Sequence, residues 1–170
     1  MTVGTSTVAS AASQDQPVAA QTRDLADYFA EDSLNHWAKA DLADFNQADI
    51  LAGYKQDGVV SIKPQGSITR AEFVAILLRA ANVPTKPLDT NFTDVRKTDW
   101  FYDTVTTATS MKLVYGKEAD RFAPNAKITR AEIAAILNRF FQDTIDFNGE
   151  VKSFTDVESS WAKADIDKMS

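Results

Sequence analysis

A five-residue string that occurs twice constrains the fold of this chain more than any other feature. Residues 68–72 and residues 128–132 both read Ile-Thr-Arg-Ala-Glu, and the two copies lie sixty residues apart. The flanking segments also align when one copy is placed on the other, since tryptophan and glycine precede each string and apolar residues follow it. Self-similarity at a fixed period is typical of a chain built from stacked repeats. The sequence therefore predicts a tandem-repeat protein.

Each string has the pattern of a helix start. Thr69 and Thr129 occupy the N-cap position. Glu72 and Glu132 follow three residues later and complete a capping box, in which side chains and backbone N–H groups bond reciprocally. The isoleucine before each threonine and the apolar residue at the fourth helical position form a hydrophobic staple. We therefore expect a helix to begin directly after each threonine.

The arginine in each string is unfavourably placed for a helix start. Arg70 and Arg130 stand at the first helical position, where the helix dipole makes a cation unfavourable by about 0.3–1 kcal/mol. An anion is therefore expected near each arginine. Two alternatives are open: an Asp or Glu of the same chain, or a carboxylate-bearing ligand held by the arginine and the free N–H groups of the helix terminus.

The composition limits the kinds of partner that this chain can have. Its 170 residues are 44% hydrophobic, which is enough to bury a substantial core. The 24 acidic and 18 basic residues give a formal charge of −6, whereas nucleic-acid-binding proteins usually present a basic face. No stretch approaches the roughly 18–20 consecutive apolar residues of a membrane helix. We therefore expect neither a nucleic-acid partner nor a membrane span.

The sequence offers little for catalysis or for binding a metal. It contains no cysteine, so disulfides and thiolate metal sites are excluded. It shows no Ser/His/Asp set, phosphate loop or metal-ligand cluster. His36, the one histidine, is expected in a solvated loop. We therefore expect no enzyme activity, no catalytic residue, no metal and no cofactor.

Along the chain, the pattern divides into a leader and three repeats. Residues 1–24 are rich in Ala, Ser, Thr and Gln, and we expect a flexible leader because they carry little apolar surface to bury. The first repeat is predicted over residues 25–84 and the second over residues 85–145. A third repeat starts within residues 146–170 and is incomplete, because Thr-Arg-Ala-Glu does not occur a third time.

The sequence of each complete repeat predicts a first helix, a short extended segment and a second helix. Sixteen residues separate Trp37 from Gly53, and sixteen separate Trp100 from Gly116, so the first helices keep the same register. The second helix of the first repeat is expected over residues 70–81. Its apolar face is expected to consist of Phe73, Ile76, Leu77 and Ala80.

The chain resembles the S-layer homology family over about residues 25–170. The resemblance rests on Phe-x-Asp-Val at residues 92–95 and 154–157, on a tryptophan seven or eight residues after each phenylalanine, and on the Ile-Thr-Arg-Ala-Glu strings. It implies a mainly α fold in which tandem helix-loop-helix repeats form a pseudo-threefold arrangement, with the third repeat truncated. It also implies a non-catalytic module that anchors a bacterial surface protein to secondary cell wall polysaccharide.

The resemblance further implies a ligand, a pyruvylated N-acetylmannosamine held in grooves between neighbouring modules. Because a pyruvate ketal carries one carboxylate, the resemblance makes Arg70 and Arg130 the best ligand candidates. The capping glutamates are expected to be structural, since their charge would repel such a ligand. The other predicted ligand-binding residues are Trp37, Trp100, Trp161, Gly53 and Gly116, and the tryptophans have an alternative interpretation as residues of the core or of the groove wall.

Two kinds of position depart from the family pattern. The second repeat has Lys117 where the first has Tyr54, so the pattern supports binding in the second groove less strongly than in the first. Asp49 and Lys112 stand where the family often has glycine. The end of the first helix is therefore expected to differ in shape.

Other functions remain open at this stage. A protein-interaction or self-assembly module would use the same helices to dock a partner. An enzyme acting on wall glycan would need paired carboxylates, which the sequence does not present in a recognisable geometry. The expected partners are the polysaccharide and neighbouring S-layer subunits, and the expected location is extracellular, in the cell wall or S-layer. Residues 146–170 are expected either to pack on the first two repeats or to drive association between chains.

Overall fold

The structure of the protein is a computed structural model, which describes residues 33, 35–56, 59–142, 144 and 154–169. The predicted leader over residues 1–24 lies outside the described residues, as do residues 146–153 of the predicted third repeat. The prediction of a mainly α fold is confirmed. None of the described helices is long and apolar enough to cross a membrane.

The described regular structure consists of α-helices, one two-stranded antiparallel sheet and a short 3-10 helix. The sheet pairs Tyr54 with Ser61 and Gln56 with Val59. In chain order, the elements are α1 (Lys39–Gln47), β1 (Tyr54–Gln56), β2 (Val59–Ser61), α2 (Arg70–Ala80), α3 (Tyr102–Ser110), α4 (Arg130–Phe141), the 3-10 helix (Thr155–Val157) and α5 (Lys163–Lys168).

Helices α2 and α4 begin with matching capping boxes. The Oγ1 atom of Thr69 accepts a hydrogen bond from the backbone N–H of Glu72 at 3.2 Å, and Glu72 Oε2 accepts one from the N–H of Thr69 at 2.7 Å. At α4, the corresponding distances between Thr129 and Glu132 are 3.2 Å and 2.9 Å. Both helices thus start at the residue after the threonine, because the same local bonds satisfy the otherwise unpaired N–H groups of the first turn.

The predicted apolar face of α2 is wrong. Ala80 is exposed, and Phe73 and Leu77 are only partly buried against the core. The helix is apolar around most of its circumference, so its periodicity allows two faces, and tertiary packing selects the one with the smaller side chains. The buried residues are Ala71, Val74, Ala75 and Leu78, together with Arg70.

The main core joins α2 to the helices that follow it. Val74 and Leu78 of α2 are almost fully buried in one cluster with Val105 of α3 and Ile136 of α4, and Phe122 of the same cluster has no exposed surface. A smaller cluster forms under α1, around Ala43 and Ile62. The main core is thus shared between the two predicted repeats, as expected for units that bury their apolar faces against neighbours, whereas the smaller cluster lies within the first.

The aspartate of Phe-x-Asp-Val explains part of that motif. The Asp94 carboxylate accepts hydrogen bonds from the N–H groups of Phe122 and Ala123, at 2.9 and 2.8 Å. Ala123 has a left-handed backbone, with φ of 60°. Asp94 thus holds the strained loop that presents Phe122 to the core, since a charged acceptor makes strong bonds to backbone N–H groups.

The first helix of each complete repeat ends in the left-handed conformation. Asp49, after α1, has φ of 56°, and Lys112, after α3, has φ of 60°. These residues take the conformation that glycine most often supplies at a helix end. The two helix ends consequently have similar backbones.

Helix α5 packs against α4. The Nδ2 atom of Asn138 donates to Oδ1 of Asp165 at 2.5 Å, and Ala162 is fully buried. Of the two expectations for this segment, the structure shows packing within the chain for its described part, residues 154–169. The pseudo-threefold arrangement and the repeat boundaries at residues 84 and 145 stay predictions.

Candidate functional site: two related grooves

Two surface cavities lie beside α2 and α4. The first, here called groove 1, has a volume of about 410 Å³, and the second, groove 2, has a volume of about 380 Å³. The residues that line groove 1 are Leu42, Leu51–Tyr54, Ile62–Pro64, Gly66–Ile68, Glu72, Ala75, Ile76, Arg79 and Trp100. Groove 2 is lined by Arg70, Val114–Lys117, Glu132, Ala135, Ile136, Arg139 and Trp161.

The two grooves are built from corresponding parts of the sequence. One wall of each is the segment around the predicted glycine, residues 51–54 in groove 1 and residues 114–117 in groove 2. The facing wall is the second helix, which contributes Glu, Ala, Ile and Arg at matching positions of α2 and α4. The tryptophan of the following repeat lines each groove. The repeated capping box produces this match, because it fixes where each helix starts and so which side chains face the groove.

Gly116 is required by close packing in the wall of groove 2. A Cβ atom at this position would lie 2.4 Å from the carbonyl oxygen of Glu118 and 2.7 Å from the ring of Phe92. Those distances are far below van der Waals contact. Gly116 therefore shapes the groove, and Gly53 occupies the matching place in groove 1.

Arg70 is buried at the inner end of groove 2. Its side chain is 6% exposed, and its Nη1 atom lies 2.7 Å from Oε1 of Glu132. Its Nε and Nη2 atoms donate to the carbonyl oxygens of Phe122 and Tyr115, at 3.1 and 2.8 Å. The anion next to Arg70 in the structure is thus a glutamate of the same chain, which was the first of the two alternatives.

The second alternative, a ligand held by free N–H groups of the helix terminus, does not fit the start of α2. The N–H of Arg70 donates to the carbonyl oxygen of Ala126 at 2.9 Å, and the N–H of Ala71 donates to that of Pro124 at 3.0 Å. The loop before α4 therefore satisfies the donors that an anion would otherwise use. Any ligand contact at this helix start has to come from side chains.

Arg130 is placed differently from Arg70. Its side chain is exposed, and it lines neither groove. The two arginines occupy the same position in the motif, but within the described residues only Arg70 contacts a later capping glutamate, Glu132 of α4. The structure thus brings one of the two predicted arginines into a groove.

Of the interpretation of the tryptophans as core or groove-wall residues, the core half is wrong, because Trp37, Trp100 and Trp161 are 87%, 60% and 68% exposed. The residue after the tryptophan takes the core position in two of the three cases, as Phe101 is 6% exposed and Ala162 is fully buried. Trp100 lines groove 1 and Trp161 lines groove 2, whereas Trp37 lines neither groove. Two tryptophans therefore present indole rings to a groove.

Two cations of groove 2 are not among the predicted ligand-binding residues. Lys117 places its Nζ atom 3.3 Å from Oε1 of Glu132, and its side chain is 42% exposed. The Arg139 guanidinium lies 4.9 Å from the ring centre of Tyr115 and donates to the carbonyl oxygen of Leu113. One signal was available, since Arg139 stands sixty residues after Arg79, the same period as the Ile-Thr-Arg-Ala-Glu strings.

Both capping glutamates are held as carboxylates. Burial would raise the pKa of Glu132, but the backbone hydrogen bond from Thr129 and the positive charges of Arg70 and Lys117 outweigh it, and the pKa is lowered. Burial opposes the same shift at Glu72, whose pKa is lowered by bonds from Tyr54 and Thr69. Each groove therefore contains one fixed negative charge, which its cations have to offset.

Comparison with known protein families identifies the class of this chain. Residues 91–134 match the family model of the S-layer homology domain. That segment contains α3, the loop held by Asp94, and the start of α4. The chain thus carries an S-layer homology domain, and the resemblance seen in its sequence is confirmed.

The relatives of this chain are large surface proteins and enzymes. It is 30% identical over 141 residues to the "Surface-layer 125 kDa protein" of Lysinibacillus sphaericus, covering 74% of this chain and 12% of the relative. It is 30% identical over 138 residues to the "Cellulosome-anchoring protein" of Acetivibrio thermocellus, covering 78% and 30%. With "Exoglucanase XynX" of the same organism, it shares 28% identity over 137 residues, 78% of this chain and 12% of the enzyme.

The chain therefore spans a small part of the length of the relatives that it matches. The domain and these relatives together support a cell-surface anchoring role for it.

Proposed function

We propose that this chain is a non-catalytic anchoring module that binds secondary cell wall polysaccharide through groove 2. The observation that carries the proposal is the charge of this groove. Three cations, Arg70, Lys117 and Arg139, line it together with one carboxylate, Glu132, although the whole chain is acidic. A groove with excess positive charge on an acidic protein suits an anionic ligand.

The chemistry of the groove fits a sugar that carries a carboxylate. Lys117 supplies an accessible ammonium group, and Arg70 has five N–H donors, of which three bind Glu132, Phe122 and Tyr115. A carboxylate between these two cations would gain charge-assisted hydrogen bonds. Trp161 adds an exposed indole against which the apolar face of a sugar ring can pack. A pyruvylated N-acetylmannosamine has both features.

Arg130 remains a second candidate for binding a ligand carboxylate. Its side chain is exposed at the first position of α4. Arg130 occupies the position in the motif that Arg70 occupies. It would therefore offer the same guanidinium group to a ligand carboxylate.

We assign no catalysis to this chain. Several relatives have enzyme names, but the chain spans only 12% of the exoglucanase. Each groove has one glutamate in its described lining, Glu72 in groove 1 and Glu132 in groove 2, and each glutamate belongs to the capping box of its own helix. They are therefore not a pair that could act as general acid and nucleophile on one glycosidic bond.

Cosedimentation with purified cell wall tests the proposal. The chain should sediment with wall that keeps its pyruvyl groups and remain in solution with wall from which mild acid has removed them. Lys117→Ala should weaken sedimentation, whereas Lys86→Ala, which removes an exposed lysine outside both grooves, should not. Equal sedimentation with both wall preparations would contradict recognition of the carboxylate, and no sedimentation with either would favour a protein-interaction module.

A further inference from the structure

The two grooves differ most clearly at the position after the glycine. Groove 1 has Tyr54 there, and groove 2 has Lys117. Both side chains reach the same target, the Oε1 atom of the capping glutamate, at 2.6 Å for Tyr54 and Glu72 and at 3.3 Å for Lys117 and Glu132. The structure therefore contains an internal comparison in which one contact is made by a neutral donor and the other by a cation.

In groove 1, the carboxylate of the capping glutamate accepts a hydrogen bond from a neutral group. The Tyr54 hydroxyl donates to Glu72, and this bond, together with burial and the charge of Glu72, raises the pKa of Tyr54 to about 12. The phenol thus stays protonated at neutral pH. Lys63 and Arg79 also line this groove, and the ammonium group of Lys63 lies 4.4 Å from the centre of the Tyr54 ring.

The remaining wall of groove 1 is mostly apolar. Aliphatic side chains cover much of it, and Trp100, 60% exposed, presents its indole at one side. The aliphatic residues concerned are Leu42, Leu51, Ile62, Ile68 and Ile76. An apolar groove with a few polar groups is the usual site for a ligand that is neutral or only partly polar.

In groove 2, two cations contact the carboxylate directly. Arg70 and Lys117 both lie within 3.3 Å of the same oxygen of Glu132, so their combined charge exceeds that of their partner. Arg139 adds a third cation to the lining. The cations that line groove 2 exceed its carboxylate by two, whereas Lys63 and Arg79 exceed Glu72 by only one in groove 1. An approaching carboxylate is therefore attracted more strongly to groove 2.

We propose that the residue after the groove glycine determines which sugar each groove binds: Lys117 selects a carboxylate-bearing sugar in groove 2, and Tyr54 makes groove 1 a site for a neutral sugar. This inference rests on the proposed binding of wall polysaccharide. In this arrangement, the two grooves bind different sugar residues of one glycan, so that a single protein chain contacts the polysaccharide at two chemically distinct points.

The three tryptophans provide a direct test by nuclear magnetic resonance. In the full chain labelled with ¹⁵N, the indole N–H signal of Trp161 reports on groove 2 and that of Trp100 on groove 1. Trp37 lines neither groove and serves as the internal control. The probes are the methyl glycosides of pyruvylated N-acetylmannosamine and of unmodified N-acetylmannosamine. The first should shift the Trp161 signal, the second should shift the Trp100 signal, and Trp37 should not move.

Exchanging the two residues should exchange the preference. In Lys117→Tyr, the dissociation constant of the pyruvylated sugar measured at Trp161 should rise about tenfold, the effect of losing one charge-assisted contact. In Tyr54→Lys, the same sugar should begin to shift the Trp100 signal. Lys117→Gln keeps a flexible side chain without the charge, and it should reproduce the loss if the tyrosine disturbs folding.

The outcomes separate this inference from the proposed function. The assignment of specificity is wrong, while glycan binding stands, if either sugar shifts the Trp100 and Trp161 signals alike and the exchanged variants bind both sugars with the dissociation constants of the wild type. If neither sugar shifts any indole signal at millimolar concentration, both the proposed function and this inference are overturned.

Discussion

At the scale of single residues, two arginines in identical motifs have different environments. Arg70 is buried and bonded to Glu132, whereas Arg130 is exposed at the start of α4. The sequence predicts an anion near each arginine, but it does not reveal burial, because Glu132 lies 62 residues beyond Arg70. Long-range packing of this kind leaves no signal in the local pattern.

Arg70→Ala should therefore destabilise the protein, although the motif alone suggests that a first-turn arginine contributes little to folding. The substitution leaves the carbonyl oxygens of Phe122 and Tyr115 without this donor and removes one partner of Glu132, which should cost about 2–4 kcal/mol of unfolding free energy. Urea unfolding measures this loss of unfolding free energy. Arg130→Ala is the matched control and should cost less than about 0.5 kcal/mol; equal losses in both variants would contradict the burial of Arg70.

Glu132 should make stability depend on pH. Its pKa is lowered in the folded chain from an ordinary value of 4.5, so its contribution is fully present above that value and is lost as the pH falls through the lower, folded pKa. Unfolding measured between pH 7 and pH 3 should show a steeper loss of stability for the wild type than for Glu132→Gln. Since Glu72 contributes in the same direction, the variant should keep part of the slope. Identical slopes would show that Glu132 has the same pKa in both states.

At the scale of elements, the sequence predicts what is local and fails where packing decides. The starts of α2 and α4 follow from Thr69 and Thr129, because a capping box involves only four consecutive residues. The buried face of α2 does not follow, since a helix that is apolar around most of its surface can bury more than one face. The sequence likewise left open whether Trp37 is buried, since aromatic size suggests burial and the local pattern does not show which elements cover the ring; in the structure it is exposed.

Removing a cap should weaken the helix that it starts. Thr129→Ala deletes the acceptor for the N–H of Glu132 and should lower the unfolding free energy by about 0.5–2 kcal/mol. Thermal unfolding at equal concentrations would measure the loss. Thr98→Ala, at an exposed position outside the helices, provides the control; a midpoint as little changed for Thr129→Ala as for this control would mean that the cap contributes no stability.

At the scale of the whole molecule, the candidate site is made between predicted repeats. Groove 2 combines Arg70 from the first, the α4 wall from the second, and Trp161 from the third. The sequence supplied the glycine and the tryptophan of this groove and one of its arginines. Lys117 made the sequence support for this groove weaker, and the structure gives that same residue the most accessible charge in the lining.

Deleting residues 150–170 should lower the stability of the monomer. The deletion removes α5, which bonds to Asn138 of α4, and it uncovers the surface beneath Ala162. The melting temperature should fall by several degrees, since about 1 kcal/mol shifts it by roughly 2–4 °C in domains of about 150–250 residues. Sedimentation should show a monomer before and after deletion. An unchanged melting temperature, or a dimer that becomes a monomer on deletion, would contradict packing of this segment within its own chain.

Groove 2 is proposed to hold a carboxylate of the wall glycan through its excess of cations. The most direct measurement is the dissociation constant of purified, pyruvylated wall polysaccharide for Lys117→Gln and for Lys86→Gln, two variants with the same change in net charge. The dissociation constant should be about tenfold higher for Lys117→Gln and unchanged for Lys86→Gln. Equal constants for the two variants and the wild type would contradict it.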